Sequence, residues 1–234
     1  MPLFHGDCLE VIPTLINNSI NFILVDPPYG IPTNTITCSN GQAIKSGKGM
    51  WDICSREWNE KWIKLCRDVL SDIGTICVFC SMHNVFEIGD ILKHLNFKIL
   101  NVITWEKPNP PPNLACRCFT HSTEFIIWAA KNSKSKYLFN YSQMKAVTGK
   151  QMKDVWTFTA PKKSEKTFGS HPTQKPEAII ERLILACTNE NDTVLDPMCG
   201  SGTTGVVCKR LNRIFIGIEK DEKFYEISKN RIGI

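Results

Sequence analysis

Short runs of β-branched and aromatic residues recur at Ile20 to Val25, Gly74 to Cys80, Phe97 to Trp105, Glu124 to Ala130, Thr193 to Leu195 and Ile214 to Glu219, and each predicts a strand. Stretches with helical spacing lie between them. Trp58 to Leu70 brings Trp58, Trp62, Leu65, Cys66, Val69 and Leu70 close to one stripe, and Pro176 to Cys187 does the same with Ile179, Ile180, Leu183, Ile184 and Cys187. Alternation of this kind predicts an α/β fold, a parallel sheet with helices on both faces. No internal repeat and no long linker is visible. Two segments lose the pattern. Gly30 to Gly49 is rich in Thr, Asn, Ser and Gly directly after a strand end, which predicts a mobile active-site loop. Lys131 to Ser170 is a polar insert.

Length and composition narrow the classes. With 234 residues, 42% hydrophobic and 22% charged, the chain is an ordinary globular protein rather than a fibrous, low-complexity or small stapled one. Eleven cysteines raise the question of disulfides. The start, Met1 to Asp7, has neither a basic nor an apolar leader region, so a reduced cytoplasmic protein is expected. Apolar runs fall short of the roughly 20 residues a membrane span needs, so no membrane association is expected. The formal charge is +5, but the insert from Lys131 to Ser170 holds nine lysines against Asp154 and Glu165, a local +7, which leaves −2 for the rest. Tyr137, Phe139, Tyr141, Trp156, Phe158 and Phe168 interleave with those lysines, which predicts a nucleic-acid contact surface.

Two motifs carry the chemistry. Near the end, Thr193-Val-Leu-Asp196-Pro-Met198-Cys-Gly200-Ser-Gly202-Thr-Thr-Gly205 is a strand, an acid, a glycine loop and the helical run Val206 to Leu211, with Glu219 closing the next strand. That is a nucleoside-binding layout: glycines let the backbone approach the ligand, and the second carboxylate can accept both ribose hydroxyls. Asp196 sits where a dinucleotide pyrophosphate would be repelled. A cationic ligand suits it, which favours S-adenosylmethionine over NAD. Near the start, Asp26-Pro27-Pro28-Tyr29 follows the strand Ile20 to Val25. The prolines fix φ and offer no N–H, leaving carbonyls free to face a ligand. An exocyclic amino group on a planar heterocycle fits: its N–H groups donate to the Asp26 carboxylate and the Pro27 carbonyl, and Tyr29 stacks on the ring.

On these residues the chain resembles the S-adenosylmethionine-dependent DNA adenine-N6 methyltransferases of the permuted β group, the restriction-modification type. In that family the Asp-Pro-Pro-Tyr motif comes first, a basic recognition segment lies in the middle and the glycine loop comes last, as here. The resemblance implies a Rossmann-like methyltransferase fold with permuted motif order and a mostly parallel twisted sheet. It divides one domain, residues 1–234, into a catalytic half (1–130), a basic target-recognition insert (131–170) and a cofactor-binding half (171–234). His5-Gly-Asp7-Cys8 is similar to the family's N-terminal cofactor segment, implying that Asp7 takes the cofactor adenine amino group and the Cys8 backbone its ring nitrogen. His171-Pro-Thr173-Gln174-Lys175-Pro176 is similar to the motif opening the cofactor half, implying contacts from His171, Thr173, Gln174 and Lys175 to the methionine carboxylate. Met198, Gly200 and Gly202 would line the pocket, Asp196 would border it, Asp26 would reach the cofactor too, and Glu219 would hold the ribose. Gly30 stands where many relatives have Asn, so position 30 is assigned no contact. The C-terminal extension of cell-cycle-type relatives is not found.

The implied activity is methyl transfer from S-adenosylmethionine to adenine N6 in a specific double-stranded DNA sequence. Base flipping would expose the target at a cost of a few kcal/mol, partly offset by Tyr29 stacking worth about 1–3 kcal/mol. Prior deprotonation by Asp26 is implausible: if the N–H is as weak an acid as water, near 15.7, the mismatch of roughly 12 pKa units costs about 16 kcal/mol. Direct in-line attack is expected, with the proton leaving afterwards. A cognate restriction endonuclease, and either a monomer or a homodimer, are compatible with this reading. Cytosine-N4 methylation is the alternative, although those relatives usually carry Ser in place of Asp26. A glutamine side-chain methyltransferase and a non-catalytic DNA-binding module are weaker ones. Cys77 and Cys80 would face opposite sides of a strand, which argues against zinc. His83, His94 and His121 are read as structural. Trp105 to Asn113 is read as a strand end running into a rigid loop, either a connector or a border of the DNA groove.

Overall fold

Phe22 and Leu24 face one layer of packing while Ile23 and Val25 face another, and this division runs through the whole molecule. The computed structural model describes residues 1–30, 54–169 and 171–234, together with the backbone of 36–39 and 42–45. In chain order the strands are β1 (Leu3–His5), β2 (Ile20–Val25), β3 (Ile36–Ser39), β4 (Gln42–Lys45), β5 (Leu70–Cys80), β6 (Lys98–Glu106), β7 (Thr123–Ala130), β8 (Val155–Thr157), β9 (Thr193–Asp196) and β10 (Ile214–Glu219). The helices are α1 (Cys8–Val11), α2 (Arg56–Val69), α3 (Val85–His94), α4 (Tyr141–Thr148), α5 (Glu177–Cys187), α6 (Thr203–Arg210) and α7 (Glu222–Ile232). Eight strands form one sheet in the order β1-β10-β9-β2-β5-β7-β6-β8. Trp62, Ile63, Cys66 and Val69 of α2 join Ile88, Ile91 and Leu92 of α3 on one face. Ile179, Ile180, Leu183 and Ile184 of α5 join Val207 of α6 and Ile232 of α7 on the other. Cys77 lies in the second core and Cys80 in the first, as strand alternation requires.

The sheet order places the site. From β2 the chain builds outward through β5, and the later strands β9 and β10 build away on the other side, so the order reverses between β2 and β9. At such a reversal the helices leave in opposite directions and a crevice opens beyond the strand ends. β2 pairs with β9 in parallel, Phe22 with Val194 and Ile23 with Leu195, so Asp26 and Asp196 both finish at that crevice. β1 pairs with β10, which carries Asp7 to the glycine-loop side although it lies near the chain's start.

The structure bears on four sequence expectations. The sheet is mostly parallel, as expected, with β7 running against both β5 and β6, so Glu124 at its start emerges at the crevice end. Within Gly30 to Gly49, Ile36–Ser39 and Gln42–Lys45 form an antiparallel pair rather than a loop, and the expected mobility lies outside the described residues. The basic insert is not one surface. Lys131 bonds Asn18 and the Leu70 carbonyl at the end of the sheet opposite the crevice, whereas Glu165, beside Lys162, Lys163 and Lys166, accepts from Gln174 and Glu177 near the crevice. Of its aromatics, Trp156 is buried, Tyr137 and Phe158 are half-buried against the core, and Phe139, Tyr141 and Phe168 are exposed, with Tyr137 and Phe139 meeting Trp128.

Candidate active site

Two strand ends and a glycine loop converge on one cavity of about 500 Å³. Asp7, Cys8, Asp26, Pro27, Pro28, Tyr29, His171, Thr173, Gln174, Lys175, Asp196, Met198, Gly200 and Glu219 all line it. Gly202 does not line it. It caps α6 behind the loop at φ +75°, and a Cβ there would overlap the Ser228 hydroxyl. Gly200 also has positive φ, +52°, so both turns use a backbone shape that side chains disfavour.

On the glycine-loop side, buried carboxylates are held by neutral donors. Thr204 donates to Asp196 at 2.6 Å, and the Met198 amide does so at 3.2 Å. Burial pushes the Asp196 carboxyl up to about 7 despite those donors, with Asp26 and Glu219 adding to the rise. Glu219 accepts from the Gly200 amide at 2.7 Å and the Asp221 amide at 2.8 Å, and burial raises its carboxyl as well. Among the described residues, neither carboxylate makes an ion pair. Asp7 caps α1 through the Leu9 amide and pairs with Lys220 at 2.9 Å; burial opposes its ionisation, but Lys220 and Leu9 hold the carboxyl below its usual range. His171 accepts from the Thr173 amide at 3.2 Å and meets the Phe224 ring edge-on at 4.2 Å.

The Asp26 side is different. Lys175 donates to one Asp26 oxygen at 2.5 Å and the Tyr29 hydroxyl donates to the other at 2.7 Å. Lys175 also faces Glu124 at 3.8 Å, and Glu124 is paired in turn with Lys107. Burial alone would lower the Lys175 ammonium, yet Asp26 and Glu124 hold it above the usual lysine range. Burial and the same two carboxylates push the Tyr29 phenol well up.

Two of the expected site residues are engaged by protein groups. Lys175, placed on a ligand carboxylate by resemblance, directs its ammonium at Asp26, because that carboxylate is its nearest buried counter-charge. The Tyr29 ring is buried beneath the Lys175 ammonium, 5.3 Å from its centroid, and its hydroxyl is tied to Asp26. The Gln174 amide nitrogen bonds the Glu165 carbonyl at 2.8 Å, while its buried oxygen has no hydrogen-bond partner among the described residues. Glu124, Lys107, Lys220 and Phe224 were not singled out from sequence. Glu124 could have been found only by knowing that β7 runs antiparallel. His83, His94 and His121 are exposed.

Three carboxylates, two of them without a cation, around a glycine loop suit a ligand with an adenosine end and positive charge, as S-adenosylmethionine has. Comparisons with known proteins agree. The DNA methylase family profile matches residues 20–230. The chain is 51% identical to Type II methyltransferase M2.LlaDCHI of Lactococcus lactis subsp. cremoris over 99% of this chain and 88% of that protein. It is 48% identical to Type II methyltransferase M2.DpnII of Streptococcus pneumoniae, over 99% and 89%. Among solved structures it is similar to the M1.HpyAVI-SAM complex, with 31% identity, a TM-score of 0.73 and 98% of each chain covered. The cytosine-N4-specific PvuII DNA methyltransferase shares the fold at TM-score 0.79 and 18% identity, over 98% of this chain and 85% of that one.

Proposed function

Since the chain belongs to the DNA methylase family, and is thus a DNA methyltransferase that uses S-adenosylmethionine, we propose that it methylates the N6 amino group of adenine within a specific double-stranded sequence. One observation carries this reading: Asp26 opens into the same cavity as Asp196 and Glu219. The cofactor, when bound, supplies an electrophilic methyl group. Asp7, Cys8, Met198, Gly200 and Glu219 would hold its adenosine end, and Asp196 with His171, Thr173 and Gln174 its charged end. Asp26 and Pro27 accept the N–H groups of a flipped adenine and draw lone-pair density onto its nitrogen. A carboxylate offers about four lone-pair sites. Asp26 can therefore keep Lys175 and Tyr29 and still accept an amino group.

The proton moves to Asp26 only once the nitrogen is alkylated. The Type II names of its relatives support a modification role beside a cognate restriction endonuclease. The decisive experiment incubates the protein with DNA and labelled methyl donor, digests the DNA to nucleosides and identifies the labelled base. N6-methyladenine is expected. N4-methylcytosine would overturn the assignment.

A further inference from the structure

We propose that Glu124 is the proton outlet of this site, receiving through the Tyr29 hydroxyl the proton that Asp26 takes from the methylated amino group. The inference rests on the adenine-N6 methyl transfer proposed for this cavity. As the C–S bond breaks and the C–N bond forms, the amino nitrogen becomes cationic and sheds one N–H proton to Asp26. Asp26 then ceases to balance Lys175, which lies 2.5 Å away and is only 7% exposed. Lys175 then keeps only Glu124, 3.8 Å away and already paired with Lys107, and an under-compensated ammonium in that position is costly, so the proton is driven onward.

The route is continuous. The Tyr29 oxygen lies 2.7 Å from Asp26 Oδ1 and 3.4 Å from Glu124 Oε2, so it can accept from the first and donate to the second. When Glu124 is protonated the cation left without a carboxylate, among the described residues, is Lys107, which is 32% exposed and can be solvated instead. The positive charge has then moved from a buried lysine to a wet one. Glu124 afterwards releases its proton to water, and Asp26, Tyr29 and both lysines return to their starting states.

The test compares Glu124→Gln, Tyr29→Phe and the double variant. Each single change is expected to lower kcat about 10- to 100-fold, with donor Kd and KM for DNA within about twofold of wild type. A relay in series makes the double variant no slower than the slower single one. Glu124→Asp, which keeps an acid, is expected to recover most of the rate. Tyr29→Phe repeats the test without touching either ion pair, should Glu124→Gln fold poorly. An unchanged kcat in either single variant, multiplying losses in the double, or a loss confined to binding would overturn the outlet. Product analysis of the same reactions keeps the two claims apart. N6-methyladenine made at an undiminished rate removes the outlet and leaves the assignment standing. Another methylated base removes the assignment, and the rates still decide the outlet, because any exocyclic amino group sheds the same proton.

Discussion

The two sides of the cavity treat buried carboxylates in opposite ways. Asp196 and Glu219, beside the glycine loop, are satisfied by a hydroxyl and backbone amides and carry uncompensated negative charge, which burial resists by raising both carboxyls. Asp26 and Glu124 alternate with Lys175 and Lys107, so that side is already neutral. The difference follows from what each side must receive. A sulfonium with an ammonium brings positive charge to the first side and relieves its strain on binding. A nucleobase brings none, and a second uncompensated carboxylate there would only repel the phosphates on which DNA binding depends.

The comparison breaks most visibly at Asp26. Asp26→Ala is expected to lower kcat about 1,000-fold or more, since it removes the acceptor proposed for the reacting nitrogen, while donor binding measured by calorimetry stays within about twofold. Equal loss of both would mean that the two sides are not separable. Asp196 sharpens the contrast from the other direction. Its carboxyl near 7 lies above the ordinary value of 3.8, so the folded protein binds the extra proton between those limits. Stability from this group is therefore fully present below about pH 4 and lost as pH rises to about 7. A cationic donor prefers the ionised form, so donor affinity is expected to rise about tenfold from pH 6 to pH 8, with proton release on binding. Calorimetry in buffers of different ionisation enthalpy reads that release. Asp196→Asn should flatten the profile and weaken donor binding; a steep profile surviving in the variant would assign the titration elsewhere.

A smaller effect is expected at Gly202. Its φ of +75° and the overlap that a Cβ would make with Ser228 render Gly202→Ala destabilising by about 2 kcal/mol, read as a lower Tm. Gly149→Ala, also at positive φ (+72°) but with nothing within 4 Å, is the control that separates backbone strain from steric overlap.

Much of this was legible because strands and loops at the crevice are written in local chemistry. Val25 to Tyr29 and Leu195 to Gly205 announce a strand end, an acid and a turn within a dozen residues, and the structure brings both to one cavity. What was not legible depends on direction and distance in the chain. β1 and β8 have three residues each, too few to show a period. α3 and α7 do show one, in Val85, Ile88, Ile91 and Leu92 and in Phe224, Ile227 and Ile232; the Asp221 cap and Gly233 at φ +73° even mark the ends of α7. Glu124 is different in kind. Its alternation with Phe125 and Ile126 is the same for a parallel or an antiparallel strand, and only the second brings it to Lys175. Lys175 likewise sits 149 positions from Asp26, and no spacing rule connects them.

The basic insert decides whether DNA is held by one face of the molecule or by a whole segment of sequence. If composition alone mattered, every lysine from 131 to 166 would contribute to the salt dependence of DNA binding. The fold instead separates them: Lys131, Lys134 and Lys136 follow β7 to the end of the sheet remote from Asp26, and Lys162, Lys163 and Lys166 surround Glu165, which braces Gln174 at the cavity. Neutralising the second three is expected to lower the slope of log K against log salt by about 2 to 3, at roughly 0.9 for each phosphate no longer neutralised. Neutralising the first three should leave it unchanged. Equal reductions in slope from both sets would return the insert to a single recognition segment and would require DNA to reach around the sheet. A reduction from the second set alone would put the nucleic acid on the side where β7 delivers Glu124 and β2 delivers Asp26.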